Sequence, residues 1–229
     1  MKRRPAFFFG LIFFLLHSLP ASSLRAPAPP ISPQEVAANI EKRLASLRSL
    51  QADFEQSYYP ASISTPLLET GKFYFQKPDL MRWEYQAPEP MTYLYKEGLV
   101  LAYYPEENQL YRHALSPEEK DSTIFSVLTG GAKLEDNYVL EAADFPSENL
   151  NPVQLKLTPK PEGEFSYILL ETDSRTWLIA TAVFFDWAGN KNEFRFRRVK
   201  VNPRLTPRTF ALDIPPDCEV IEDLPPVKR

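Results

Sequence analysis

The strongest constraint on the fold of this chain is a series of short segments in which apolar and polar residues alternate. The clearest is GKFYFQKPDLMRWEYQ, residues 71–86, where two alternating runs flank a Lys-Pro-Asp turn and continue in the same phase. Its large apolar side chains are Phe73, Phe75, Met81, Trp83 and Tyr85. Because side chains two residues apart share one face of a strand, the segment predicts a hairpin with these side chains on one face.

Similar alternating runs follow one another along most of the chain. They lie at residues 50–58, 70–77, 80–86, 91–96, 99–104, 109–114, 136–142, 153–158, 165–172, 177–186, 191–201 and 219–222. Many are separated by tight Pro-, Gly- or Asn-containing turns, which makes neighbouring strands antiparallel. The pattern predicts a mainly β (α+β) protein, with about eleven strands in one antiparallel sheet that curls to bury one face.

Two amphipathic helices are predicted beside this sheet. Ser32-Pro33-Gln34-Glu35 resembles a capping box and opens a helix over 33–50. Its apolar stripe consists of Val36, Ile40, Leu44 and Leu47. A second capping signature at 116–119 opens a helix over 117–129, which ends at Gly130-Gly131 and carries Ile124, Phe125 and Leu128.

The first residues have the features of a secretory signal peptide. Lys2, Arg3 and Arg4 precede an apolar run at 6–16, and an Ala-x-Ser site predicts cleavage after Ser23. The run is shorter than a membrane-spanning helix, so an uncleaved anchor is the less favoured alternative. Residues 24–31 are then expected to form a Pro-rich disordered lead-in, and residues 32–229 a single domain.

Composition and motifs argue against nucleic-acid binding, metal binding and catalysis. The chain carries 26 basic and 30 acidic side chains, which does not suit a nucleic-acid partner. Its one cysteine, Cys218, allows no internal disulfide. His113 lacks the neighbouring ligands of a metal motif and is interpreted as an ordinary polar strand residue. No metal, cofactor or catalytic residue is therefore predicted.

Two features leave alternatives open. The basic residues Arg195, Arg197, Arg198 and Lys200 form either a solvated strand face or a docking surface for an acidic or membrane-associated partner. The in-phase aromatic residues form either a packed core or the wall of a ligand cavity. A curled sheet of many strands encloses more volume than its own side chains fill easily, so the two helices or an apolar ligand must fill the rest.

Several motifs, in this order, resemble the periplasmic outer-membrane lipoprotein carrier (LolA) family. They are Leu-x-x-Leu-x-x-Leu-x-Ala-x-Phe-x-Gln at 44–56, Gly-x-Phe-x-Phe-x-Lys-Pro-x-x-x-Arg-Trp-x-Tyr at 71–85, Tyr-Tyr-Pro at 103–105, Asp-Trp-Ala-Gly-Asn at 186–190 and Phe-x-x-x-x-Pro-Pro at 210–216. The resemblance extends over roughly residues 33–222.

The resemblance implies an unclosed antiparallel β-barrel that is covered by helices and holds acyl chains in an apolar cavity. The cavity residues it implies are Phe54, Phe73, Phe75, Met81, Trp83, Tyr85, Tyr93, Tyr95, Leu101, Tyr103, Leu155, Leu157, Ile168 and Leu170. Ile124, Phe125 and Leu128 would form the lid. Lys77 stands where other members have an Arg that contacts this lid, and a Lys lacks the planar two-donor fork of an Arg.

The resemblance also implies the biological role. A monomeric periplasmic carrier would accept acylated lipoproteins from an ATP-driven inner-membrane exporter and deliver them to an outer-membrane receptor. One alternative is a module of the same fold that binds or senses another lipid, such as a glycolipid. A second alternative is an enzyme with an apolar pocket, which would require a polar cluster inside the sheet, such as Tyr hydroxyls that converge on an inward Asp or Glu.

Overall fold

The protein is described by a computed structural model that covers residues 31–62, 65–115, 133–160 and 163–222. These residues form one sheet of twelve strands rather than the predicted eleven or so. The strands are β1 (Ser49–Tyr59), β2 (Leu67–Gln76), β3 (Leu80–Ala87), β4 (Met91–Lys96), β5 (Leu99–Tyr104), β6 (Gln109–Ala114), β7 (Tyr138–Ala142), β8 (Pro152–Pro159), β9 (Phe165–Asp173), β10 (Ile179–Asp186), β11 (Lys191–Val201) and β12 (Glu219–Ile221).

The order of the strands in space is β12-β6-β5-β4-β3-β2-β1-β11-β10-β9-β8-β7. Consecutive hairpins account for most of this order, and the long β1 joins the two halves by pairing with both β2 and β11. β12 runs parallel to β6, whereas the other described neighbours are antiparallel. The prediction of a mainly antiparallel sheet is confirmed.

The sheet is curled but unclosed, with β12 and β7 at its two edges. Adjacent strands lie about 4.8 Å apart, so β3 and β11, which are three spacings apart in the strand order, would be about 14 Å apart in a flat sheet. The ring centroids of Trp83 on β3 and Phe194 on β11 are only 5.3 Å apart. The sheet must therefore bend strongly, and the face that carries these rings is its concave face.

Helix α1 (Pro33–Ser46) covers part of the concave face. It begins as predicted, because the hydroxyl of Ser32 accepts a hydrogen bond from the Glu35 amide and Pro33 occupies the first turn. Its apolar stripe is buried, and the helix packs on β7, β8 and the short helix α2 (Leu134–Asn137). The carboxylate of Glu41 also accepts a hydrogen bond from the Leu134 amide at 2.6 Å.

The structure ends α1 at Ser46, earlier than the predicted 50. The side chain of Asn202 accepts hydrogen bonds from the amides of Arg48 and Ser49, at 2.7 and 3.3 Å, and so holds them outside the helix. Leu50 already pairs with Phe75 in the sheet. Sheet pairing thus replaces the last predicted turn of the helix.

Three further regions differ from the sequence predictions or lie beyond them. Residues 134–137 form α2, where a strand is predicted from 136, and Pro207–Phe210 form an unpredicted 3-10 helix. The predicted helix 117–129, with Ile124, Phe125 and Leu128, lies outside the described residues, as do the signal peptide and most of the lead-in. Among the described helices, none is long and apolar enough to cross a membrane.

Candidate functional site

The hairpin of β2 and β3 presents its large apolar side chains to the concave face, as predicted. Phe73 pairs with Trp83, Phe75 pairs with Met81, and all four side chains are buried. Tyr85 pairs with Gly71, whose missing side chain leaves room for Phe54. A Cβ atom at Gly71 would lie 2.7 Å from the Phe54 ring and would collide with the Glu84 carbonyl oxygen.

These residues belong to an aromatic cluster at the centre of the concave face, formed by Phe54, Phe73, Trp83, Phe194 and Phe196. Phe54 makes edge contacts with Trp83 and Tyr85, at centroid distances of 5.0 and 4.9 Å. Trp83 also contacts Phe73 at 4.5 Å. Such tilted and edge-on contacts are the favoured geometries of aromatic pairs. A void of about 40 Å³ adjoins the cluster near the end of α1.

One group of predicted cavity residues lies in a closed core instead. Leu155, Leu157, Ile168 and Leu170 are at most 2% exposed and share one cluster with the buried side chains of α1. α1 covers this side of the sheet through its packing on β7 and β8. These four side chains fill the protein interior and are not part of the lining of the open cavity, so their contact with acyl chains stays a prediction.

An open cavity of about 920 Å³ lies at the end of the sheet where β1 ends and β2 begins. Among the predicted residues, Tyr85 and Tyr93 line it. Lining residues that sequence reasoning missed include Gln56, Tyr58, Leu67, Glu69, Met91, Phe165, Phe184, Trp187 and Asn192. Phe165 and Phe184 belong to alternating runs and could have been found from that signal. The polar residues carry no such signal, since only strand pairing brings them to the cavity.

A chain of hydrogen bonds crosses the wall of the open cavity. The Tyr85 hydroxyl donates to Gln56 Oε1 at 2.6 Å, and Gln56 Nε2 donates to Asn192 Oδ1 at 3.0 Å. On the neighbouring strands, the hydroxyls of Tyr93 and Tyr104 lie 2.9 Å apart. The wall is therefore amphipathic, with apolar rings and a satisfied set of neutral polar groups.

The polar wall partly meets the condition stated for an enzyme, because Glu69 faces inward opposite Gln56 and lines the cavity with Tyr85 and Tyr93. Burial raises the pKa of both Tyr85 and Tyr93 far above its ordinary value, and the negative charge of Glu69 adds to the increase. Proton transfer works best with a pKa near the working pH. These phenols are instead held neutral, which suits hydrogen bonding better than acid–base catalysis.

Leu101 and Tyr103 lie on the outer face of the sheet, so their assignment to the cavity is wrong. Leu101 pairs with Leu94 and Tyr103 with Thr92, whereas the concave residues Tyr93 and Tyr95 pair with Ala102 and Val100. Tyr103 borders a surface groove with Ala211. Tyr95 pairs with Met81 and is half-buried on the concave face, and its contact with a ligand stays a prediction.

The side chain of Lys77 binds the end of α1. Its ammonium group donates hydrogen bonds to the carbonyl oxygens of Leu44 and Ala45, at 3.2 and 2.8 Å. A cation is favourable there because the last carbonyl groups of a helix carry partial negative charge. Any contact between Lys77 and the predicted lid stays a prediction, since that segment is not described.

The basic strand residues are mostly engaged in ion pairs within the protein. Arg195 and Arg197 both pair with Glu148, and Arg198 pairs with Asp53. These contacts favour the solvated-face interpretation over a docking surface. Within the described ranges, the structure contains no group of three or more His, Cys, Asp or Glu residues that could hold a metal ion.

Fold and site together define a class of protein with a curled, unclosed and mainly antiparallel sheet, helix α1 on its concave face and an amphipathic cavity at one end. Residues 45–213 match the family described as outer membrane lipoprotein carrier protein LolA. The chain belongs to this family, which is named for carrying rather than for catalysis. The predicted family membership is confirmed.

Individual relatives agree with this assignment. The chain is 30% identical over 181 residues to the outer-membrane lipoprotein carrier protein of Methylococcus capsulatus, covering 79% of this chain and 84% of that one. It is 27% identical over 176 residues to the carrier of the same name from Nitrosomonas europaea, covering 76% and 83%.

A solved structure supports the fold alone. An uncharacterized conserved protein from Thermus thermophilus superimposes with a TM-score of 0.55 at 17% identity, covering 84% of this chain and 100% of that one. The curled sheet is therefore a shared architecture.

Proposed function

We propose that this protein binds the acyl chains of lipoproteins in its open cavity and carries them through the periplasm from the inner to the outer membrane. The observation that carries this proposal is the amphipathic cavity of about 920 Å³ in a chain of the carrier family. Tyr85 lines the cavity and contacts Phe54 of the aromatic cluster behind it. An acyl chain that enters the cavity would lie against lining rings such as Tyr85, Phe165 and Phe184.

The energetics of transfer favour such an imperfect apolar site. Removing a chain of roughly 15 methylenes from water is favourable by about 12 kcal/mol, at ~0.8 kcal/mol per methylene. A membrane offers the same gain, so a carrier that bound more tightly than the membrane would not release its cargo. The polar groups of Gln56, Tyr85 and Asn192 lower the apolar area of the wall and so support reversible binding.

The proposed carrier function includes two partner proteins and a lid over the bound acyl chains. An ATP-driven inner-membrane exporter would supply the lipoprotein, and an outer-membrane receptor would accept it from the monomeric carrier. Ile124, Phe125 and Leu128 would cover the bound acyl chains, with Lys77 holding α1 beside them.

Substitution at the cavity entrance tests acyl-chain binding. Leu67 lines the cavity and is 50% exposed, so Leu67→Asp should leave folding intact and weaken binding of a lipoprotein at least tenfold, because a charge beside an acyl chain must be desolvated. The measurement is release of a triacylated lipoprotein from inner-membrane vesicles by the purified protein.

The matched control is Val139→Asp, because Val139 is also 50% exposed on a strand but does not line the cavity. This variant should release lipoprotein as well as the unaltered protein. Equal activity of the two Asp variants would place the binding site elsewhere. Failure of the unaltered protein to release any lipoprotein would contradict the carrier function itself.

A second candidate function is binding or sensing of another lipid with a hydrogen-bonding head, such as a glycolipid. The polar wall of Gln56, Tyr85 and Asn192 favours it, since such groups can bind hydroxyls. Mass spectrometry of lipids that co-purify with the periplasmic protein separates the two functions. Glycolipid without lipoprotein would support the second one.

A further inference from the structure

The rim of the open cavity combines exposed apolar side chains with carboxylates. We define the rim as Leu67, Leu68, Glu164, Asp186 and Trp187. Leu67, Leu68 and Trp187 are 50%, 58% and 67% exposed, and together they form an exposed apolar patch at the cavity. The Trp187 indole is held in place, because its Nε1 donates a hydrogen bond to the Gly163 carbonyl oxygen at 2.8 Å. The rim is thus an ordered apolar surface that faces solvent.

The charge around this surface has one sign. The carboxylates of the rim are Glu164 and Asp186, and the described lining residues of the cavity include no Lys or Arg. Asp186 accepts hydrogen bonds from the amide and the side chain of Asn190, which are neutral donors. Burial and the nearby charge of Asp186 raise the pKa of Glu164.

The position of the rim bears on the route by which an acyl chain would enter the open cavity. Among the described residues, the closed core and α1 fill the other side of the concave face, whereas the cavity is open at the rim, so an acyl chain bound there would pass the rim. In an acylated protein, the polypeptide continues from the acylated terminus. That polypeptide would therefore lie against Leu67, Leu68 and Trp187 while the acyl chains occupy the cavity.

We propose that the rim binds a basic segment of the cargo polypeptide, next to its acylated terminus. This inference rests on the proposed acyl-chain binding. Lys and Arg side chains fit both properties of the rim, because their apolar stems pack on Leu and Trp side chains while their charged ends reach carboxylates. An Arg or Lys over the Trp187 ring gains a further cation–π attraction.

The test uses three peptides of equal length that carry the same N-terminal palmitoyl group and differ at four positions, which are all Lys, all Gln or all Glu. Titration calorimetry with the purified protein should show the Lys peptide binding about threefold to tenfold more tightly than the Gln peptide, and the Glu peptide more weakly. Salt should reduce the difference, since exposed charges are screened. Lower pH should reduce it too, because protonation of Glu164 removes a negative charge.

Two variants assign the effect to the rim. Glu164→Gln should reduce the ratio of the affinity for the Lys peptide to the affinity for the Gln peptide, because it removes one negative charge from the rim. The control is Glu107→Gln, an exposed carboxylate in the turn between β5 and β6, which should keep the preference of the unaltered protein.

The outcomes separate this inference from the proposed function. Equal affinity for all three peptides would overturn the basic-segment proposal while leaving acyl-chain binding intact. Lack of binding by any of them would contradict acyl-chain binding itself. If the Lys peptide bound equally well without its palmitoyl group, the rim would serve a separate basic partner, and the proposal would again be overturned.

Discussion

The closed core and the open cavity occupy the same face of one sheet, yet they differ in chemistry. In the closed core, the aliphatic side chains of Leu155, Leu157 and Leu170 are 0%, 0% and 1% exposed beneath α1. In the open cavity, Tyr85 and Tyr93 join polar partners and face a space of about 920 Å³. Aliphatic side chains carry no polar atom and pack densely without a polar partner, whereas a buried tyrosine needs a hydrogen-bond partner for its hydroxyl.

The helix-covered side of the concave face holds closely packed apolar contacts that stabilise the fold. The opposite side leaves apolar side chains around an open space, which is where the proposed acyl-chain binding would take place. Lys77 joins the two sides, because it lies on the β2–β3 turn and binds the end of the helix that covers the closed core.

Truncation in the closed core should have the largest effect on stability. Leu157→Ala removes a fully buried side chain and should lower the free energy of unfolding by about 2–5 kcal/mol, measured by urea denaturation. Leu150→Ala is the control, because Leu150 is 93% exposed and its loss should change stability by less than about 0.5 kcal/mol. A loss below about 1 kcal/mol for Leu157→Ala would mean that this side is not tightly packed.

Alkaline pH should lower the stability of the folded protein, because two phenols of the open cavity are buried. Because the pKa of Tyr85 and of Tyr93 is raised in the folded protein, the unfolded chain loses these protons first, and stability falls as pH rises above about 10. Each group contributes about 1.4 kcal/mol per pH unit in that window. Denaturation curves at several pH values measure the slope.

The double variant Tyr85→Phe, Tyr93→Phe is the matched test of the alkaline effect. It should make the fall in stability above pH ~10 shallower and leave the pH dependence near neutrality unchanged, since both phenols are protonated there in folded and unfolded chains alike. An unchanged alkaline slope would mean that these two hydroxyls are not the buried groups responsible.

Removal of the Lys77 ammonium should have the smallest of the three effects. Lys77→Met keeps the length of the side chain but leaves the carbonyl groups of Leu44 and Ala45 without this donor, which should cost about 1 kcal/mol. Lys77→Arg should restore most of the stability, and Lys96→Met, at the exposed end of β4, should have little effect. Equal stability of the Met variant would show that the contact is not a stabilising link between the two sides.

Sequence periodicity predicted the strands better than it predicted the cavity. In residues 71–86 the apolar side chains occupy one phase, so the buried face of β2 and β3 could be predicted. In β5, the segment LVLAYY has apolar residues in both phases, and its face is therefore not determined locally. Pairing with β4 decides it, which is why Leu101 and Tyr103 were placed on the wrong face.

The sequence by itself determined the strand series, the capped start of α1 and the buried phase of the aromatic hairpin, because each depends on local spacing and capping chemistry. Only the tertiary structure decided which apolar strand residues fill a core and which line a space. That choice depends on where α1 lies, and its position follows from contacts between residues far apart in the chain, such as Lys77 with Leu44 and Asn202 with Ser49. The same curvature brings Gln56, Glu69 and Asn192 to one cavity, and no local pattern encodes that meeting.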